Sequence, residues 1–431
     1  MWLNSISLEN FKAHEKSEIK CGKITILIGH NNAGKSSVLQ ALIMLSQSAK
    51  QSNARTLLPK NDVIDLGEYR DVVRLNDENT PISIAIAGLE KIELGGEYGG
   101  VLSPENAEFY FKITSRKNEL IEINFTVKSK HTQIDYGWTP QKMSAYLTRP
   151  FEHGSFQLEQ NSLNGFIPSL QLSIGTDKIN RAFNIQFQNN DFLRNIFRCF
   201  YYIPFQRVIG KYAVQTTRKQ DLENIVTSDP EKTNSTLLST LAKDHVLQQK
   251  VSNLYASIYE ETLSSYGVDP DFHDREKQNA ERTSLLFSKG KFASSIANEG
   301  GGINQLVLLF TILAGSPKNS IICLEEPEIH LHPAKQSILM KTILRIAKED
   351  NKQIILTTHS EHVLYPLLAA VSSGDLKPED LAVYYFQLDS KNNKVSLEKL
   401  NVNNKGQIKG GLKGFWEATV NAMSEFVEVK E

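Results

Sequence analysis

The chain has 431 residues, of which 40% are hydrophobic, and a formal net charge of -1 at pH 7. These values are typical of a globular protein with a sizeable core and argue against intrinsic disorder. Because the charges balance, no global basic field points to nucleic acid, and any such contact would need a local basic patch.

Targeting and redox features point to an intracellular protein. The N-terminal stretch "MWLNSISLENFKAHEKSEIK" lacks the apolar core of a signal peptide. The chain contains no uninterrupted apolar window of about 18 residues, the length of a membrane span. Cys21, Cys199 and Cys323 form no C-x-x-C pair, so neither a disulfide framework nor a cysteine zinc site is indicated. We therefore expect a cytoplasmic protein without membrane spans.

The chain begins with a strand, a glycine-containing loop and a helix. Residues 3–8 and 24–29 are predicted to be strands, the second being the apolar run "ITILIG". Residues 35–49 place apolar side chains at helical spacing. Between the second strand and the helix, the segment "GHNNAGKS" fits the pattern G-x-x-x-x-G-K-[ST].

This pattern is typical of a phosphate-binding loop. Its glycines let the backbone curl so that N–H groups point at phosphate oxygens, and the following helix presents its N-terminal dipole. Lys35 would reach the β- and γ-phosphates, and Ser36 would bind Mg²⁺. An incidental glycine-rich turn is the weaker interpretation, because the motif lies between a strand and a helix as its chemistry requires. The predicted nucleotide-binding residues of the loop are Gly29, Asn31, Asn32, Ala33, Gly34, Lys35, Ser36 and Ser37.

The middle of the chain divides into two segments of different pattern. From residue 82 to 190, short alternating runs such as "ISIAIAG", "EFYFKIT" and "LQLSIG" are separated by Gly, Pro, Asn and Ser, which predicts an antiparallel β lobe. Residues 211–290 are polar and are predicted to be mostly helical, without the sustained heptads of a coiled coil.

The last third of the chain returns to a pattern of strands and helices. The apolar strands "SIICLEE" and "KQIILTTHS" flank a helix of about fifteen residues that is predicted to begin near Pro333. Strand, helix and strand in this order predict a parallel sheet. The segment "AVYYFQLDSKNNKVSLEKLNV" is predicted to form a hairpin that turns at "SKNN", followed by a short terminal helix.

Two glutamates end the first of these apolar strands. We predict that Glu325 binds Mg²⁺ through water, because it is one methylene longer than the aspartate usual in phosphate-loop NTPases. Glu326 is predicted to be the general base for the attacking water. The alternative is that these acids only favour a helix N-terminus, which explains Glu328 well but leaves two adjacent acids at the end of a buried strand unexplained.

The same stretch, "EEPEIHLHP", crowds carboxylates and imidazoles, which raises the alternative of a metal-binding module. His330 and His332 are two residues apart, so they lie on opposite sides of a strand or about 200° apart on a helix. Such a pair is poorly placed to share one ion. We therefore assign both histidines to the turn after the strand.

Two further features belong to the candidate site. His359 follows the second apolar strand in "TTHS", where an imidazole could report on a γ-phosphate, although a lone histidine at a strand end is as often structural. The loop "NEGGGINQ" at 298–305 is a second glycine-rich helix N-terminus and thus a second candidate anion site. The predicted catalytic residues are Lys35, Glu326 and His359.

The order of these motifs resembles the RecF, overcoming-lysogenization-defect and structural-maintenance-of-chromosomes-like group of ATP-binding-cassette (ABC) type P-loop ATPases, within the AAA family. The matching segments are "ISLENFKAHEKSEIKCGKITILIGHNNAGKSSVLQAL", "YYIPFQR", "NEGGGINQL", "IICLEEPEIHLHP" and "IILTTHS". Two more, "VIDLGEYRDVV" and "VNNKGQIKGGLKGFW", resemble small bacterial ATPases often linked to anti-phage defence.

The resemblance implies an α/β fold: an ABC-type P-loop ATPase head with a mixed β-sheet core, an inserted antiparallel β lobe and a helical insertion. The implied division is a head over 1–90, 191–210 and 291–370, a β-rich lobe over 91–190, a helical insertion over 211–290 and a C-terminal extension over 371–431.

The resemblance also implies that two heads dimerise around two ATP molecules, each with Mg²⁺, and that higher oligomers can form. Each glycine-rich signature loop would cap the nucleotide held by the other head. His332 stands where many relatives carry an aspartate, in a turn that runs along the partner head, and is therefore expected to be a contact at the dimer interface. The residues that stand at the signature are Asn298, Gly300, Gly301 and Gly302. Lys12, in "NFKAH", stands where related heads have a basic residue near the phosphates.

The signature departs from the pattern of the family. A serine usually leads that motif, whereas Asn298 and Glu299 stand there in this chain. A glutamate facing a γ-phosphate would repel it, so either Asn298 donates instead or backbone N–H groups make the contact.

Three functions compete. The first is an ATP-driven dimerising switch that senses or handles nucleic acid and controls a separate effector, such as an HNH or Toprim nuclease, with RecF-like DNA repair as the runner-up. A nuclease within this chain is not expected, because no strand-final glutamate followed by an Asp-x-Asp pair comes after His359. The second, a transporter's nucleotide-binding subunit, is disfavoured by "NEGGG" and by the β-rich insertion. The third is the metal-binding module.

Overall fold

Two large β-sheets carry the fold, and the candidate site lies at one edge of the central, mostly parallel one. The computed structural model describes residues 2–50, 56–92, 105–117, 119–128, 133–138, 143–148, 155–164, 167–176, 179–185, 200–204, 214–215, 226, 229–259, 262–268, 282–289, 292–295, 301–389 and 394–411.

The described chain alternates strands and helices. The strands are β1 (Trp2–Phe11), β2 (His14–Lys20), β3 (Ile24–Gly29), β4 (Ile82–Ile92), β5 (Glu105–Arg116), β6 (Glu119–Lys128), β7 (Gln133–Trp138), β8 (Met143–Thr148), β9 (Ser155–Asn164), β10 (Ile167–Thr176), β11 (Ile179–Ile185), β12 (Phe200–Ile203), β13 (Val214–Gln215), β14 (Thr262–Val268), β15 (Arg282–Lys289), β16 (Phe292–Ser295), β17 (Ile321–Glu325), β18 (Gln353–Thr358), β19 (Leu381–Asp389) and β20 (Lys394–Leu400). The α-helices are α1 (Lys35–Lys50), α2 (Tyr69–Val72), α3 (Pro230–Lys243), α4 (His245–Tyr259), α5 (Gly301–Gly315), α6 (Pro333–Glu349) and α7 (Glu361–Ser372).

The central sheet has six strands in the order β12-β17-β18-β3-β19-β20. The first five run parallel, and only the edge strand β20 is antiparallel to its neighbour. Strands β3, β17 and β18 are buried along their whole length, which explains why they are continuous apolar runs rather than alternating ones. The predicted parallel sheet is confirmed, as is the mixed α/β fold.

The second large sheet is antiparallel and has seven strands in the order β2-β1-β4-β5-β6-β7-β8. It joins the N-terminal strands to four strands of the predicted β lobe, and β4 crosses the predicted boundary at residue 90. The antiparallel pattern expected for 82–190 is confirmed in these strands and in the three-stranded sheet of β9 to β11. The domain boundaries themselves remain a prediction.

The mostly helical interpretation of residues 211–290 is wrong in part. Helices α3 and α4 lie there, but so does a small antiparallel sheet built on β15. Strand β14 pairs with one edge of β15, and β13 and β16 pair with its other edge. The overall polarity of the segment suggested helices. In "RTSLLFSK", however, Thr283, Leu285 and Phe287 alternate with serines over much of the run, and cross-strand pairing then decides for a strand.

The C-terminal hairpin is confirmed by the antiparallel pairing of β19 with β20. Its turn, "SKNN", and the predicted terminal helix lie outside the described residues. Strand β19 also pairs in parallel with β3, the strand that leads into the phosphate loop. Residues 381–400 therefore complete the central sheet, although the predicted head ended at residue 370.

Helix α1 lies between the two sheets. It contacts β1 of the antiparallel sheet and β3, β12, β17 and β18 of the central sheet, and most of its residues are buried. The phosphate loop is therefore fixed at both ends, by β3 on one side and by a buried helix on the other. In the part of the chain that the structure describes, no helix is both long and apolar enough to cross a membrane.

One buried side chain joins the start of strand β18, in the central sheet, to strand β1. The Gln353 amide nitrogen donates to the backbone oxygens of Leu3, at 2.8 Å, and Gly22, at 2.9 Å. The Gln353 amide oxygen accepts from the backbone N–H of Leu3 at 2.8 Å. Because Gln353 is 1% exposed, water cannot replace these bonds.

We expect Gln353→Met to lower the free energy of unfolding by about 2–4 kcal/mol, since it keeps the side-chain volume but leaves three buried backbone groups without partners. Urea unfolding followed by circular dichroism measures the change. The matched control is Gln387→Met, at an exposed position of β19, which should stay within about 0.5 kcal/mol of the parent. Equal effects of the two substitutions would contradict the assigned role.

Candidate nucleotide site

The loop between β3 and α1 has the backbone that a phosphate loop requires. Gly29 and Gly34 adopt φ values of +146° and +87°, which L-residues with a Cβ rarely reach. A methyl group on Gly29 would overlap the backbone oxygen of Phe386 in β19. Asn32 also lies in the left-handed region, at φ +58°, where asparagine is among the better tolerated residues. The exposed side chains of Asn31 and Asn32 and the buried Ala33 complete the loop.

The ammonium group of Lys35 lies inside this loop. Its Nζ donates to the backbone oxygens of His30, at 2.7 Å, and Gly29, at 3.1 Å. Burial lowers the pKa of Lys35 to about 8, while the carboxylates of Glu326 and Glu328 raise it. A buried cation next to a helix N-terminus, whose first N–H groups have no partners within the helix, is suited to bind phosphate oxygens.

Ser36 and Ser37 occupy the first turn of α1, so both predicted serines stand at the helix end that faces the loop. Ser36 is partly exposed and Ser37 is buried. A hydroxyl at the position of Ser36 can contribute an oxygen to a cation shared with phosphate.

The two adjacent glutamates leave the central sheet in different conformations. Glu325 is the last residue of β17 and is 2% exposed. Glu326 turns away from the strand with φ +42°, and its backbone N–H donates to the backbone oxygen of Thr357 at 3.1 Å. A left-handed conformation at a non-glycine residue costs about 1 kcal/mol or more, and Glu326 is one of ten such residues in the described part of the chain.

The Glu326 carboxylate meets the imidazole of His359. The two are joined through Oε1 and Nε2 at 3.1 Å, and both side chains are partly exposed. The strand ends that were predicted to carry the catalytic acid and the histidine therefore bring these two side chains together.

Glu328 was explained as an acid favouring a helix N-terminus, and that interpretation is wrong. Helix α6 begins only at Pro333, with His332 as its N-cap, so Glu328 lies outside the first helical turn. Glu328 is 6% exposed, and its Oε1 accepts from the Thr358 hydroxyl at 2.5 Å and from the backbone N–H of His359 at 3.2 Å. Burial raises the pKa of Glu328, and these hydrogen bonds lower it.

Lys12 bonds helix α1 and lies within the field of Glu325, and the place near the phosphates that the resemblance implied for it stays a prediction. Its Nζ donates to the side-chain oxygen of Gln40 in α1 at 2.7 Å. Burial lowers the pKa of Lys12, and the charge of Glu325 raises it. Lys12 adopts φ +49°, so it joins Asn32 and Glu326 as a left-handed residue of the site.

His14 was not predicted, yet it contacts the phosphate loop directly. It is fully buried, and its Nε2 lies 2.9 Å from the backbone oxygen of Gly34, while its Nδ1 lies 2.8 Å from Ser17 Oγ. Because a carbonyl oxygen only accepts, Nε2 must carry the proton, and the neutral ring can accept from Ser17 at Nδ1. Burial lowers the pKa of His14, consistent with a neutral ring. The motif "NFKAH" was the one pointer to this residue.

The signature region is described only in part. Asn298 and Gly300 lie outside the described residues, while Gly301 and Gly302 begin α5. Gln305, in the same helix, donates a hydrogen bond to the backbone oxygen of Ile329, in the turn after Glu326. This bond links α5 to the turn that follows β17.

The histidines of "EIHLHP" do not form a metal site. His332 Nδ1 accepts from the backbone N–H of Ala334 at 3.3 Å as the cap of α6, and His330 is exposed in the preceding turn. Within the described ranges, no group of three or more His, Cys, Asp or Glu residues is placed to hold a metal ion. The metal-binding module is therefore disfavoured.

The chemistry of the donors does fit Mg²⁺ shared with phosphate. Ser36 and Glu325 offer oxygen ligands, which Mg²⁺ prefers, and Mg²⁺ is commonly held by one or two protein groups together with waters and substrate phosphates. A buried lysine, a glycine-rich loop and strand-final acids at one sheet edge together define the class of P-loop nucleotide-binding proteins.

Comparison with known proteins agrees with this class. A family model described as "AAA ATPase domain" matches residues 1–364. The chain therefore belongs to the AAA ATPase domain family, which confirms the P-loop ATPase class expected from the sequence.

The individual relatives match weakly. The DNA double-strand break repair Rad50 ATPase of Sulfurisphaera tokodaii is 38% identical over 80 residues, which are 18% of this chain and only 9% of that protein. An SMC head bound to the C-winged helix domain of ScpA is 12% identical, with a TM-score of 0.46 over 94% of this chain and 98% of that chain. The SMC head domain from Thermotoga maritima is 11% identical, with a TM-score of 0.39 over 93% of this chain and all of that chain. Similarity at this level supports no conclusion about partners or substrates.

We expect His14→Ala to weaken ATP binding about five- to tenfold, because the Gly34 carbonyl loses a buried partner and the loop loses one support. Titration with a fluorescent ATP analogue measures the change. His14→Gln, which keeps an N–H donor, should recover most of the affinity, and His245→Ala, at an exposed position of α4, should leave it unchanged. Unaltered binding by His14→Ala would show that the contact does not matter.

Proposed function

We propose that the protein is an ATP-binding and ATP-hydrolysing switch that dimerises around ATP and controls a separate effector. The observation that carries the hydrolytic part is the contact of Glu326 with His359, at 3.1 Å, next to the loop that buries the Lys35 ammonium. Family membership supports the same activity.

The phosphate side of the site would be served by the loop and α1. Lys35 would exchange its two carbonyl contacts for β- and γ-phosphate oxygens, and the loop N–H groups would hold the β-phosphate. Ser36 and Glu325 would hold Mg²⁺, which when bound neutralises charge on the phosphates. Two further residues would support these groups without contacting the nucleotide. His14 bonds the backbone oxygen of Gly34, and Gln40 accepts a hydrogen bond from Lys12.

The water side would be served by Glu326 and His359. Glu326 would accept a proton from the attacking water as general base. His359 would orient that carboxylate and, once ATP is bound, contact the γ-phosphate. A base and its orienting partner within hydrogen-bond distance are the arrangement that this chemistry needs.

Dimerisation follows from the resemblance to RecF, overcoming-lysogenization-defect and SMC-like heads. Gly301 and Gly302 begin α5, so their N–H groups can offer a helix N-terminus to the ATP of a partner head, with Asn298 and Gly300 alongside. Higher oligomers are compatible with such a dimer. Such a switch would work in the cytoplasm, where ATP is available.

The proposed effector is a nuclease carried by another protein, and the proposed trigger involves nucleic acid, as in bacterial anti-phage defence. The motifs "VIDLGEYRDVV" and "VNNKGQIKGGLKGFW" support this role. RecF-like DNA repair is the second candidate, favoured by the short match to a Rad50 ATPase. A transporter's nucleotide-binding subunit is the least favoured alternative, given the extended antiparallel sheet of β4 to β8.

Glu326→Gln tests the assignment of the base. Turnover of ATP should fall on the order of 100- to 10,000-fold, because the amide cannot accept the proton. ATP binding should be retained, and ATP should trap a dimer detectable by light scattering. Steady-state phosphate release and nucleotide titration measure the two activities.

The matched control is Glu349→Gln, at the end of α6 and far from the loop in sequence, which should hydrolyse ATP like the parent. If Glu326→Gln keeps full turnover, Glu326 is not the base. If the parent protein binds ATP and neither hydrolyses it nor dimerises, the proposed switch is wrong.

A further inference from the structure

Glu328 is a buried acid to which the proposed reaction assigns no role. It lies in the turn between β17 and α6, two residues after Glu326. Its Oε1 accepts two hydrogen bonds, from the Thr358 hydroxyl at 2.5 Å and from the His359 backbone N–H at 3.2 Å. Both donors belong to the end of β18.

These two bonds hold the last residue of β18, Thr358, and the backbone N–H of His359 to one side chain. The Thr358 hydroxyl, besides donating to Glu328, accepts from the backbone N–H of Ser360 at 2.9 Å. Residues 358–360 are therefore gathered around one carboxyl oxygen and one hydroxyl. The backbone position of His359 depends on the Glu328 side chain.

His359 in turn holds the carboxylate of Glu326 through its Nε2. Starting from Glu328, the path runs through the backbone of His359 to its ring and then to the carboxylate of Glu326. Glu328 is therefore connected to Glu326 by a path of contacts, in addition to the two peptide bonds between them. That path passes through the His359 imidazole.

The turn that contains Glu328 has other supports. Gln336 Nε2 donates to the Leu331 backbone oxygen at 2.8 Å, and Gln305 donates to the Ile329 backbone oxygen. The two hydrogen bonds that the Glu328 carboxyl group accepts from Thr358 and His359 act on the neighbouring strand end. Its other oxygen, Oε2, is buried and accepts no hydrogen bond from the described residues.

We propose that Glu328 is a positioning residue, which sets the placement of His359 and thereby of the Glu326 carboxylate during ATP hydrolysis. This inference rests on the proposed function, because it concerns the rate of the same reaction. A positioning role predicts a larger fall in kcat than in ATP affinity, because both donors belong to the end of β18, while Glu328 acts on Lys35 of the phosphate loop through its charge alone.

The first measurement is steady-state ATPase activity of Glu328→Leu and Glu328→Gln. Glu328→Leu should lower kcat about 10- to 100-fold, because small displacements of a catalytic group are expensive in rate. Glu328→Gln keeps an acceptor at the same place and should recover kcat to within about fivefold of the parent. A loss of ATP affinity with unchanged kcat in Glu328→Leu would overturn the proposal.

The second measurement asks whether Glu328 acts through His359. In a double-mutant cycle, Glu328→Leu combined with His359→Ala should lower kcat no more than His359→Ala alone. Additive losses would show that Glu328 acts independently of His359, which contradicts the proposed path.

Thr358 provides a second route that does not alter the acid. Thr358→Val removes the hydroxyl that bonds Glu328 and should lower kcat with the KM for ATP kept, whereas Thr358→Ser should behave like the parent. The control is Thr240→Val, a buried threonine of α3 whose hydroxyl donates to its own helix. If Glu328→Leu does not fold, judged by circular dichroism, the Thr358 pair decides: equal kcat in Thr358→Val and Thr358→Ser overturns the proposal.

These outcomes can be separated from failure of the proposed function. A parent protein that binds ATP and does not hydrolyse it refutes the proposed function. A parent protein that hydrolyses ATP while the Glu328 and Thr358 variants match it refutes only the positioning role.

Discussion

The parallel pairing of β3, β17 and β18 is the constraint on which the whole site depends. Ile28 pairs with Thr358, and Glu325 pairs with Thr357. The three strands therefore end within about one residue of each other in the register of the sheet. The phosphate loop follows β3, the acidic turn follows β17 and the histidine turn follows β18. Parallel strands end at the same edge, and this register brings the lysine, the glutamates and the histidine together at that edge.

Two lysines are buried at that edge, and the charges of nearby glutamates partly offset the cost of burying them. Lys35 is 4% exposed, and the field of Glu326 and Glu328 partly offsets the desolvation that lowers its pKa. The same relation holds between Lys12 and Glu325. Left-handed residues occur at Lys12, Asn32 and Glu326. Strained backbone and partly compensated charges at one place are features of a site prepared for a highly charged ligand.

Several polar side chains to which the proposed reaction assigns no direct contact with the nucleotide support this arrangement. Gln353 joins the start of β18 to β1, His14 holds the last glycine of the phosphate loop, and Glu328 holds the end of β18. Each is buried and bonds a backbone group of another element. In all three cases the partner lies many residues away in the chain, so local patterns cannot reveal the contact.

The sequence by itself determined the phosphate loop, the acidic strand end, the parallel strands and the antiparallel segments. Each of these depends on local chemistry: glycines where φ is positive, apolar runs where both faces are covered, and alternation where one face is covered. Only the tertiary structure showed that β19 completes the central sheet, that part of 211–290 forms strands, and that Glu328 bonds the end of β18 rather than a helix N-terminus. These outcomes depend on which strand edges and donors meet in space, and the spacing of residues along one chain does not specify such partners.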